Sequence, residues 1–61
     1  MTYKGVFNFQ GEVKTFTTEA KSEAHAKEKL LGVMASMYGF GKRTLRNYFN
    51  DKGNCEINLI N

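Results

Sequence analysis

Lys42-Arg43-Thr44-Leu45-Arg46-Asn47-Tyr48-Phe49-Asn50-Asp51-Lys52-Gly53-Asn54-Cys55-Glu56-Ile57 is the stretch on which the fold turns, because it reads in two ways. Leu45, Tyr48 and Phe49 have the three-to-four spacing of a helix face, yet Thr44 to Phe49 also makes a short strand. In the strand reading, Asn50-Asp51-Lys52-Gly53 is a tight turn in which Gly53 supplies a residue tolerant of positive φ, and Cys55 to Ile60 returns. Cys55, Ile57 and Leu59 alternate with Glu56, Asn58 and Ile60, as a half-buried strand requires. The hairpin is the preferred reading and gives the order ββαββ. The runner-up takes residues 42 to 50 as helix and gives ββααβ.

Upstream of this stretch the pattern is clearer. Tyr3, Gly5, Phe7 and Phe9 alternate with Lys4, Val6, Asn8 and Gln10, the period-two pattern of a strand with one buried face. Gln10-Gly11-Glu12 turns the chain, and the Thr-rich run from Val13 to Ala20 returns antiparallel. Val13 and Phe16 are out of phase for strict alternation, which a bulge or a turn position for Val13 would reconcile. Ser22 is placed to cap a helix, with Glu23 favouring its positive end. Ala24, Ala26, Leu30, Leu31, Val33, Met34, Met37 and Tyr38 form a broad apolar stripe; His25, Lys29, Gly32 and Ser36 lie opposite. Gly39 suits a left-handed helix stop, and Phe40-Gly41 completes the connector. The expected fold class is therefore α+β, with a small antiparallel sheet packed on one helix.

With 61 residues, of which 41% are hydrophobic and 13% aromatic, residues 1–61 make a single small domain. Such a core supplies about 3–5 kcal/mol of net stability, so a partner would stabilise the folded state by mass action. Cys55 has no second cysteine to pair with, and no apolar run is long enough to span a membrane. A cytoplasmic protein is expected. The net charge of +3 is concentrated in Lys42, Arg43 and Arg46, which have no acid among them; elsewhere six Lys balance six acids. A local basic patch of this size suits an acidic protein surface or a phosphate backbone.

Catalytic chemistry is not expected. His25 and Cys55 are far apart in sequence and have no neighbouring pair of acids, so neither metal-ligand spacing nor a nucleophile with its base is recognisable. No catalytic, cofactor-binding or metal-ligating residue is assigned. Gly39-Phe40-Gly41-Lys42-Arg43 places an aromatic between glycines beside basic residues, a short feature that RNA-binding sheets share. Tyr38 and Phe40 next to Lys42, Arg43 and Arg46 combine aromatic anchors with a basic rim, the composition enriched at protein interfaces. With Lys29, these residues are the candidate partner-binding set.

Two family resemblances sharpen the choice. Phe16-x-x-Glu19-Ala20-x-Ser22-Glu23-x-x-Ala26 and Lys42-Arg43 resemble the small archaeal ribosomal protein LX family, which implies an RNA-binding module. Val6-Phe7, Phe16-Thr17-x-Glu19 and Phe49-x-Asp51-Lys52-x-x-Cys55-Glu56-Ile57 resemble the Dmd antitoxin family of T-even-type phages, outside residues 22 to 44. That resemblance implies a protein that binds and inhibits host endoribonuclease toxins of the RnlA and LsoA type, with contacts largely on the helix and the segment after it. The expected partner is thus a host endoribonuclease toxin, with nucleic acid as the alternative, no membrane, and a monomer when free.

Overall fold

In a computed structural model, which describes residues 1–60, β1 (Thr2–Phe9) and β2 (Glu12–Glu19) form the expected hairpin. Its two turn residues, Gln10 and Gly11, have φ of 54° and 81°, the positive pair that a type I′ turn needs to match the twist of the strands. No bulge interrupts the register: Gly5 faces Phe16 and Asn8 faces Val13, so Val13 and Phe16 lie on opposite faces of the sheet.

Ser22 caps α1 (Glu23–Tyr38) by accepting a hydrogen bond from the His25 N–H at 3.2 Å. His25 answers with its Nδ1, which accepts from the Lys21 N–H at 3.3 Å. Gly39 ends the helix at φ 74°, its N–H donating to the Ala35 carbonyl. The buried stripe is narrower than the sequence reading, being Ala26, Leu30, Leu31 and Met34; Ala24, Val33 and Met37 are exposed.

The expected order ββαββ is overturned. Residues 42 to 52 are a second helix, α2 (Lys42–Lys52), followed by β3 (Cys55–Leu59), and the order is ββααβ. The physical reason lies in Leu45, Tyr48 and Phe49. A strand would send Tyr48 and Phe49 to opposite faces, whereas the helix buries Leu45 and Phe49 completely and half-buries Tyr48 on the same core. Gly53 does take a positive φ, 67°, but as the left-handed cap of α2, its N–H bonded to the Phe49 carbonyl at 2.8 Å. The same glycine signal serves a hairpin turn and a helix stop. β3 therefore pairs not with residues 44 to 49 but with β1, Cys55 facing Phe7, Ile57 facing Gly5 and Leu59 facing Tyr3.

The result is a three-stranded antiparallel sheet in the order β2-β1-β3, with both helices on the face that carries Tyr3, Phe7, Phe9 and Phe16. Phe7, Phe9, Leu30, Leu31, Met34, Leu45 and Phe49 form the main core, and Cys55 packs half-buried at its rim. The opposite face of the sheet is uncovered. Among the described residues no helix is long and apolar enough to cross a membrane.

Candidate partner-binding surface

Phe9 stands at the end of the central strand and organises the corner where α1 hands over to α2. Its ring meets Tyr38 at 5.1 Å, Phe40 at 5.6 Å and Tyr48 at 5.0 Å, each edge to face, and Phe49 at 5.9 Å. Tyr38 is thus a wall of the core rather than a free anchor, and its hydroxyl is sealed from solvent with no hydrogen-bond partner. Phe40, in the connector, keeps 40% of its surface exposed while its other edge rests on Phe9. Tyr48 belongs to the same aromatic cluster and was absent from the candidate set. The helical spacing of residues 45, 48 and 49 was the signal that could have placed it there.

The basic window is not the free patch that its sequence suggests. Lys42 and Arg46 are one turn apart on α2 and both turn toward Glu28 of α1. Arg46 grips that carboxylate with two hydrogen bonds, Nε to Oε2 at 3.0 Å and Nη2 to Oε1 at 2.6 Å, and Lys42 Nζ stands 3.5 Å from Oε1. The Arg46 hydrogen bond holds the Glu28 carboxyl below the usual carboxylate range, against partial desolvation and with help from the charges of Arg46 and Lys42. Reciprocally, Glu28 raises the guanidinium of Arg46. Glu28 is the acid that a window of neighbouring residues could not reveal, because it comes from another helix. Arg43 makes no ion pair among the described residues and is exposed.

Lys29 does not join this group. It leaves the other flank of α1, where its Nζ donates to the Glu19 carbonyl at the end of β2 at 2.6 Å. Lys27, on the α2 side, reaches Asn50 Oδ1 at 3.2 Å and ties the two helices together. The candidate set is therefore divided: Phe40 and Arg43 are exposed at the α1–α2 corner, Tyr38 supports them, Lys42 and Arg46 bind Glu28, and Lys29 is remote.

On the uncovered sheet face, a shallow groove of about 360 Å³ is lined by Val6, Asn8, Val13, Gly53, Asn54, Cys55 and Glu56. Among the described residues, no three His, Cys, Asp or Glu side chains come together as a metal-binding group. Comparison with protein-family models, curated proteins and solved structures gives no match for this chain.

Proposed function

We propose that this chain is a phage antitoxin, a binding module that occupies a host endoribonuclease toxin of the RnlA or LsoA type and protects phage messages in the host cytoplasm. The observation that carries this reading over RNA binding is the hold of Glu28 on Lys42 and Arg46. Phosphate recognition draws its affinity from cations that are free to replace counterions, and two of the three cations in the basic window are already engaged. What remains at the corner is a half-exposed aromatic ring beside one free guanidinium, which suits a protein surface better than a phosphate backbone.

Most of the apolar residues that carry the antitoxin resemblance have a common place in the fold, whereas Thr17, Glu19, Asp51 and Glu56 are exposed. Phe7, Phe16, Phe49, Cys55 and Ile57 all belong to or pack on the main core. Letters of this kind specify a scaffold, whereas residues 22 to 44, where the resemblance lapses, supply the exposed side chains of α1 and the connector. Partner choice is then this chain's own.

The test is inhibition. Purified chain added to an RnlA- or LsoA-type toxin should stop cleavage of a labelled message at one equivalent, and a nuclease-treated lysate should yield the toxin on the tagged chain. Recovery of RNA-dependent material alone, without inhibition, would promote the RNA-binding alternative.

A further inference from the structure

One flank of the molecule presents two unpartnered features side by side. The first is the outer edge of β2. Because the Ala20 N–H donates to the Met1 carbonyl at 2.9 Å, the even-numbered residues of β2 carry the ladder to β1, and the backbone groups of Val13, Thr15, Thr17 and Glu19 point away from the sheet. This edge runs eight residues with no proline and no bulge, so it is a ready template for another strand. The second is an apolar stripe on α1. Lys29, Val33 and Met37 follow one another at four-residue spacing on one side of α1, and the bond from Lys29 to Glu19 anchors the start of that line at the same edge. Val33 and Met37 are 44% and 55% exposed on that line, and Phe16, on the helix-bearing face of β2, is half-buried against the main core.

We propose that this flank is a self-association surface, joining two copies of the chain through antiparallel β2–β2 pairing about a two-fold axis at Phe16. The register follows from the edge itself. Only odd-numbered residues turn their backbone groups outward, the Glu19 carbonyl among them already accepting from Lys29 and keeping a lone pair for a strand amide, so odd must pair with odd; this forbids the like-charge pairing of Glu12 with Glu19. Centring the axis on Phe16 engages the whole edge, Val13 with Glu19 of the second copy and Thr15 with its Thr17. On the helix-bearing face the same register sets Phe16 against its own mate and Lys14 against Thr18, with no like charges opposed. Lys14, an inward-pointing charge on an edge strand, discourages indiscriminate pairing and is accommodated here opposite a hydroxyl.

The two-fold stands perpendicular to the sheet, so both α1 helices lie on the same side and run antiparallel along the seam. Val33 and Met37 of one copy then face those of the other above the Phe16 pair. One partner supplies both a strand and an apolar ridge because the interface is isologous. The joined sheet reads β3-β1-β2-β2-β1-β3, and the corner at Phe40 and Arg43 stays outside the seam. This proposal replaces the expectation of a free monomer and is independent of which toxin, if any, the chain binds.

Sedimentation velocity on the free chain, over a wide concentration range, tests it. The mass should rise from 6.9 kDa toward twice that value. Thr15→Pro removes an amide hydrogen that makes no bond within the chain, so the variant should fold, as amide spectra would verify, yet its dimer dissociation constant should rise about tenfold or more. Met37→Lys, at an exposed position outside the sheet, should weaken association in the same direction through like-charge repulsion across the axis. Mixed labelled and unlabelled chains should show nuclear Overhauser contacts between Lys14 and Thr18 of different copies. A mass that stays at the monomer value throughout, association indifferent to both substitutions, or intermolecular contacts elsewhere on the surface would each overturn the proposal.

Discussion

Leu30 of α1 presses on the sheet at Gly5 of β1: a Cβ built on Gly5 would lie 2.5 Å from Leu30 Cδ1 and 2.8 Å from Phe7 Cε2. Glycine here is a close-approach residue in the central strand, letting α1 sit down on the sheet, and its backbone needs no positive φ. Because Leu30 and Phe7 are fully buried, they have little room to retreat. Gly5→Val is therefore expected to destabilise the fold by about 1–3 kcal/mol, despite the better strand propensity of valine. Urea unfolding would show this as a lower midpoint at an unchanged slope; an unchanged or higher midpoint would contradict the close approach.

Tyr38→Phe should act in the opposite direction. The Tyr38 hydroxyl is sealed without a hydrogen-bond partner, while its ring is held by Phe9. Removing the oxygen keeps the aromatic contact and relieves a desolvation penalty of about 1–3 kcal/mol, so the thermal midpoint should rise. A fall would mean that the hydroxyl has a partner in solution.

Glu28→Gln should release Lys42 and Arg46. Neutralising the carboxylate turns a paired cluster into a free basic patch, and affinity for single-stranded RNA should increase. The slope of log affinity against log salt should steepen by up to about 1.4, two phosphates at about 0.7 each. Filter binding over a salt series would measure this, and an unaltered slope would show that the pair does not mask the window.

The same pair sets a pH dependence. The Glu28 carboxyl is held below its ordinary range in the folded chain, so its contribution to stability is fully present above the unfolded carboxylate pKa. That contribution is lost as pH falls through the lowered folded value. The wild-type chain should therefore lose stability over the acidic limb relative to Glu28→Gln, and the two curves should converge once the carboxyl is protonated. Parallel unfolding curves at every pH would exclude this linkage.

Phe40→Ala tests the proposed corner. The ring is half out of the core, so folding should suffer little, whereas loss of an interface anchor reduces toxin affinity by about 2 kcal/mol, roughly thirtyfold. Calorimetric titration into the toxin, with a melting curve of the free variant alongside, separates the two effects. Equal affinity in a folded variant would remove Phe40 from the contact.

The first half of the fold is legible residue by residue because its signals are local. Alternation from Tyr3 to Phe9, the Gln10-Gly11 turn, the Ser22 cap and the Gly39 stop each act within a few positions of chain. The second half is not, because Gly53 and the trio of Leu45, Tyr48 and Phe49 satisfy both a hairpin and a helix. The competition is settled by what each leaves exposed on a core built by distant residues. The division of the candidate surface was hidden for a related reason. Charges at residues 42, 43 and 46 look unopposed along the sequence, but Glu28 lies on the neighbouring helix, and Phe9 claims Tyr38 from a strand nearly thirty positions earlier. Periodicity also overstated the apolar stripe of α1, since it cannot tell a buried position such as Met34 from an uncovered one such as Met37.

The pairing of β3 with β1 joins the last strand of the chain to one of its first elements, and this bears on the timing of synthesis. When α1 has just left the ribosome, the strand that must flank Gly5 on its other side is still enclosed in the exit tunnel. A nascent chain can form the β1–β2 hairpin and the capped helix, but the sheet cannot be completed until after Leu59 emerges. Assembly of the finished sheet is therefore a late event, set by the emergence of β3 rather than by the appearance of its most strongly patterned segments.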